Sequence, residues 1–115
     1  MNAVSTARII VTDDSDADTS YLDQEGLGFE DRREAYHRGD FGFVGLYLEA
    51  DVLIPYGADS IISTIRTPGL WSIESDSGES YFRSVAHDEY TILAEMLRET
   101  NSATPVNIDP DIRYR

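Results

Sequence analysis

From Phe41 to Ile54 apolar and polar positions alternate. Val44, Leu46, Leu48, Ala50, Val52 and Ile54 fall on one face of an extended chain, and Gly45, Tyr47, Glu49 and Asp51 on the other. A period of two over this length predicts a strand with one buried and one wetter face. Pro55-Tyr56-Gly57-Ala58-Asp59 reads as a turn. Ser60 to Thr67 is rich in β-branched residues and predicts a second strand. Pro68-Gly69 breaks it, and Leu70-Trp71-Ser72-Ile73-Glu74 predicts a third. Connections this short suit an antiparallel meander, because a parallel crossover needs a dozen or more residues. Upstream, Arg8-Ile9-Ile10-Val11-Thr12 is a short β-prone run, and Asp13 to Ser20 is a polar loop of turn-forming residues.

Two segments carry helical signals instead. Phe29 to Arg38 opens with acidic residues, ends on Arg38 and is followed by Gly39, a natural stop. Further on, Phe82, Val85, Ala86, Leu93, Met96 and Leu97 recur at helical spacing. They predict a helix from about Gly78 to about Thr100 whose stripe covers one sheet face. Asp76 and Glu79 predict its capping box, with Asp in place of Ser or Thr. Residues 101–115 contain Pro105 and Pro110 and no periodicity, so an extended or disordered tail is expected after a single domain over residues 1–100. The fold class expected is α+β: a three- to four-stranded antiparallel sheet packed by a long C-terminal helix, plus one short helix on the other face or at an end. There is no internal repeat.

Composition adds constraints. At 115 residues and 41% hydrophobic, the chain can bury a core without staples. Cysteine is absent, which removes thiol chemistry, zinc–thiolate sites and disulfides, and leaves a reducing, cytoplasmic compartment as the expectation. The first residues lack the apolar stretch of a signal peptide, and no apolar run approaches a membrane span. Charge is the outstanding feature: 22 acidic against 9 basic side chains, net −13, every basic residue an arginine. Eight carboxylates crowd Asp13 to Asp31 with no arginine among them, and a second acidic stretch runs from Glu74 to Glu79. Such a field repels nucleic acid and anionic membranes, and favours a basic partner, a cation or simple solubility.

Several stretches carry a resemblance. They are Asp18-Thr19-Ser20-Tyr21-Leu22, Phe29-Glu30-Asp31-Arg32, Ala35-Tyr36, Gly39 to Gly45, and Pro68 to Ser77. Over residues 18–98 the chain resembles a family of small acidic uncharacterised proteins found in phages, plasmids and bacterial genomes. The resemblance implies a bacterial or mobile-element source. It brings no activity and no site residues with it.

The sharpest chemical motif is Asp14-Ser15-Asp16-Ala17-Asp18 followed by Glu25. Its carboxylates fall at positions 1, 3, 5 and 12 of an EF-hand loop, where hard oxygens would suit Ca²⁺. Thr19 stands where the loop needs glycine, Leu22 supplies no oxygen, and a strand rather than a helix precedes it. A solvated acidic loop is the competing reading. Glu74, Asp76 and Glu79 could hold Mg²⁺ or Mn²⁺, or simply start the long helix. His87-Asp88-Glu89 holds acid–base groups, but helix neighbours point apart. Gly39, Gly42 and Gly45 are read as strand-entry and close-packing positions. Phe41, Phe43 and Tyr47 share the face opposite the aliphatic one. They form either an exposed aromatic interface or a face covered by the short helix.

The expectation is therefore a non-enzymatic binding protein without a cofactor, Ca²⁺ or Mg²⁺ being the alternative. Asp13, Asp14, Asp16, Asp18, Asp23, Glu25, Glu74, Asp76 and Glu79 would engage a basic surface of another protein, as a DNA mimic does. The competing readings are a homo-oligomeric assembly protein joined as a homodimer through Phe41, Phe43 and Tyr47, and a divalent-metal-binding protein.

Overall fold

The structure, a computed structural model, describes residues 1–105 and 107–115. Its elements run β1 (Ala3–Val4), β2 (Ala7–Asp13), a 3-10 turn (Ser20–Asp23), α1 (Glu30–His37), β3 (Phe43–Tyr56), β4 (Asp59–Arg66), β5 (Leu70–Glu74), α2 (Glu79–Glu99) and β6 (Ile108–Tyr114). All six strands belong to one sheet. The architecture is α+β, but the sheet exceeds the three to four antiparallel strands expected, and it is mixed. β3 is its spine. Glu49 pairs with Arg8 of β2 and with Arg66 of β4, and Leu53 pairs with Ala3 of β1 and Ile62 of β4. A residue has two edges, so β1 and β2 line one side of β3, and β4 and β5 the other.

The alternation of β3 reports its environment. Val44, Leu46, Leu48, Ala50 and Val52 are buried beneath Phe82, Val85, Ala86, Leu93 and Leu97 of α2. Ala7, Ile9 and Val11 of β2 and Ile73 of β5 complete this core. The long helix is not the last element of the chain, because β6 follows it.

The described residues after α2 are tied down by hydrogen bonds and end in β6. At the end of α2 the Ser102 N–H donates to the Leu97 carbonyl (2.9 Å) and the Asn101 N–H to that of Arg98 (3.2 Å). Asn101 turns left-handed at φ 54°, completing a Schellman stop without glycine. The Ala103 N–H then donates to Asn2 (2.8 Å), and the Tyr90 hydroxyl to the Pro105 carbonyl. β6 pairs parallel to β2, with a register shift between Ala7 and Ile9 that accommodates Pro110, a residue with no N–H for the ladder. Residues 108–114 alternate between apolar or aromatic and charged positions, a strand signal that Pro110 disguises, and nothing local marks the distant β2 as the partner.

The start of α2 also differs from expectation. Its N-cap is Gly78, at φ 90°, and no side chain caps it. Asp76 is drawn instead to Arg32, whose charge-assisted pair is stronger than an exposed cap. α1 stops as expected: Gly39 lies at φ 79°, and its N–H and that of Asp40 donate back to Tyr36 and Ala35.

Candidate interaction surfaces

The second face of β3 is closed at its beginning. Phe41 and Phe43 are buried with Leu22, under Ala17, Tyr21, Ala35 and Tyr36. Rings meet edge-on or tilted, with centroids 5.4–6.3 Å apart. Phe41 and Phe43 are thus not an exposed interface: α1 and the 3-10 turn cover them, because large aromatic area is most stable out of water. Tyr47 is half-buried further along β3. Beside it, Trp71 lies flat on Gly45, where a Cβ would stand 2.1 Å from the indole. Gly45 is therefore a close-packing position. Trp71 Nε1 donates to the Pro68 carbonyl at 2.8 Å.

One cluster ties the two acidic stretches together at this end. The Tyr21 hydroxyl donates to Glu74 at 2.5 Å, and Arg32 bridges Glu74 and Asp76 while its guanidinium sits 4.0 Å over the Phe41 ring. Burial, then the bond to Glu74, raises the Tyr21 hydroxyl above the ordinary phenol range. Arg32 holds Asp76 below the usual carboxylate range. Glu74 and Asp76 are thus occupied internally, and Glu79 pairs with Arg83 at 3.3 Å.

The loop carboxylates behave differently. None of the eight from Asp13 to Asp31 has an ion-pair partner among the described residues, and Asp13, Asp16, Asp18, Asp23 and Glu25 are exposed. Asp14 is half-buried. Its Oδ1 accepts the Asp16 N–H (3.2 Å) and its Oδ2 the Ser72 N–H (2.8 Å). Ser72 lies at φ 59°, where β5 shifts register against β3, so Asp14 satisfies a bulge that no strand can. Asp18 accepts the Ser20 N–H at 2.9 Å, which lowers its pKa.

The EF-hand spacing does not become a ligand shell. Asp14 and Asp18 serve backbone N–H groups, and the chain enters a 3-10 turn at Ser20. Among the described residues, no three His, Asp or Glu side chains converge to hold a metal, so neither Asp14, Asp16, Asp18 and Glu25 nor Glu74, Asp76 and Glu79 form a centre.

Arginines concentrate elsewhere. Glu49, 2% exposed on the second face, accepts from Arg8 (3.1 Å), Arg66 (3.1 Å) and Arg115 (2.7 Å). Burial would raise its carboxyl, but the bonds from Arg115 and Arg8 outweigh that and hold it low. Arg8 also grips Asp51 through two bonds of 3.0 Å, lowering that carboxyl too. Seven of the nine arginines are consumed in ion pairs; Arg33 and Arg98 make none among the described residues. A further exposed stripe on α2, Asp88, Glu95 and Glu99, was legible as a spacing of seven and four on one helix face.

Beyond Val52 the β3–β4 hairpin leaves the body as an arm. Leu53, Tyr56, Ile61 and Ile62 are exposed, Tyr56 by 73% and Ile62 by 70%. A concavity of about 350 Å³ lies between β1 and the arm, lined by Val4, Val52, Leu53 and Ile62 among others. The molecule measures 62 × 22 × 20 Å, with a radius of gyration of 17.6 Å. A compact chain of this length would have about 13 Å. Among the described residues no helix is long and apolar enough to cross a membrane.

No protein-family model, no curated protein and no solved structure matches this chain.

Proposed function

We propose that this chain is a non-enzymatic, cytoplasmic binding protein of mobile-element type that engages a basic surface of another protein through its acidic end. The reading includes a DNA mimic that inhibits a host nucleic-acid-binding or defence protein. One observation carries it: seven of the nine arginines pair with carboxylates outside Asp13–Asp31 and none with a carboxylate inside that stretch, which stays unneutralised among the described residues. Ion pairs distributed at random would leave a diffuse charge. The pairing instead leaves its densest cluster at one end, with a sparser stripe on α2, and Tyr21 and Arg32 anchor that end to the sheet. Fixed carboxylates imitate a phosphate field and compete for the same arginine and lysine patch. The docking set is Asp13, Asp16, Asp18, Asp23 and Glu25. Asp14, Glu74, Asp76 and Glu79 hold the end in shape or are paired internally.

The test is retention of a basic partner by the immobilised protein from extracts of its host. Retention should fall steeply with salt, be displaced by duplex DNA, and disappear when the five docking residues are changed to Asn or Gln. Retention that survives both salt and neutralisation would sink the reading.

A further inference from the structure

We propose that β4 pairs antiparallel with β4 of a second copy, joining two arms into one continuous sheet about a two-fold axis. The backbone shows that an edge is open. The Thr67 N–H donates to the Leu48 carbonyl (2.9 Å), whereas the Asp51 carbonyl accepts from Ser5 on the opposite side (2.8 Å). Even-numbered residues of β3 therefore face β4. Their antiparallel partners Ile61, Ser63 and Ile65 face back, leaving the N–H and C=O groups of Ser60, Ile62 and Thr64 directed outward. Among the described residues no strand pairs with that edge. An edge strand of eight residues that carries Ile61, Ile62 and Ile65 and no lysine, proline or cover is a pairing template.

Charge selects a second copy as the occupant. The chain carries −13, so two copies repel over most of their surface. Residues 52–65 hold a single charged side chain, Asp59. The arm is where like-charged molecules can touch. Antiparallel pairing of β4 also reverses the two β3 strands, so the acidic ends point in opposite directions. Each β3 spans about 46 Å at the usual rise. That separation exceeds a Debye length of about 8 Å several times over, and the ends are screened from each other.

Register follows from parity. A two-fold axis normal to the sheet keeps each face, so residues of like parity oppose each other. With the axis at Ser63, Ile62 opposes Thr64 of the second copy, Ile61 opposes its Ile65, and Ser60 opposes its Arg66. No like charges meet. Ser63 opposes itself in a non-hydrogen-bonded pair, the closer of the two antiparallel spacings.

Sedimentation should show a concentration-dependent dimer of the 12.9 kDa chain. Ile62→Pro removes an outward N–H that β3 does not use, and should weaken association by at least about tenfold with an unchanged circular dichroism spectrum. Ser63→Cys, in a chain with no cysteine of its own, should form an intermolecular disulfide under mild oxidation, whereas Ser60→Cys should not. A wild-type chain monomeric at hundreds of micromolar overturns the proposal, as does a dimer that neither responds to Ile62→Pro nor crosslinks through Ser63→Cys. The disulfide decides the matter if the proline variant fails to fold. The proposal does not depend on what the acidic end binds.

Discussion

The two ends of β3 are built on opposite terms. Its beginning is buried on both faces, by α2 on one and by α1 with the 3-10 turn on the other, and it carries unneutralised carboxylates outside that cover. Its far end runs into an arm that is nearly uncharged and largely exposed, with Leu53, Tyr56, Ile61 and Ile62 open to solvent and only Ile54 and Ile65 reaching the core. Between them sits Glu49, where three arginines from β2, β4 and the chain after β6 meet one carboxylate. The difference teaches how a chain of −13 holds together. Three of its nine arginines are spent at the middle of the sheet and, among the described residues, none pairs with the Asp13–Asp31 carboxylates, so the acidic end keeps its charge and the arm needs none.

The largest expected effect comes from breaking that middle. Glu49→Ala leaves three arginines clustered around a lost partner, one of them largely buried, and should cost about 3–5 kcal/mol in urea unfolding. A smaller effect, about 1–3 kcal/mol, is expected for Gly45→Ala, because the new methyl must displace the Trp71 ring. Trp71 fluorescence should shift with it, and an unchanged spectrum would contradict the contact.

The pH dependence sharpens the comparison further. The folded-state pKa values of Glu49, Asp51 and Asp76 are lowered, so their stabilisation is full above their ordinary values and lost as pH falls through the folded ones. The stability gap between wild type and Glu49→Gln should thus be widest near neutrality and close below about pH 4. A gap that widened on acidification would contradict the sign.

Arg32→Ala should act locally. It frees Glu74 and Asp76 and uncovers Phe41, so amides from Leu22 to Phe29 should exchange faster, while those of β2 and β3 keep their protection. The smallest change is expected for Asp16→Asn with Asp23→Asn: stability within about 0.5 kcal/mol of wild type, with a weaker dependence on salt.

Local pattern carried much of this molecule. The alternation from Val44 to Ile54, the Gly39 stop and the stripe from Phe82 to Leu97 each encode their element within one or two turns of chain, where dihedral preference and periodicity act. Close packing at Gly45 was legible for the same reason, since a glycine inside a strand signals an approaching group. What lay beyond the sequence needed partners distant in the chain. Asp76 reads as a cap until Arg32, more than forty residues earlier, claims it. Phe41 and Phe43 read equally as surface or core until α1 folds over them. β6 does alternate, Ile108, Pro110, Ile112 and Tyr114 against Asp109, Asp111 and Arg113, but Pro110 disguises it, and it becomes a strand because β2 offers it a parallel edge. The net charge was fixed by composition, but its sorting into an acidic end, an arginine-bound centre and a neutral arm was decided by the tertiary fold, because an ion pair depends on distance in space and not on spacing along the chain.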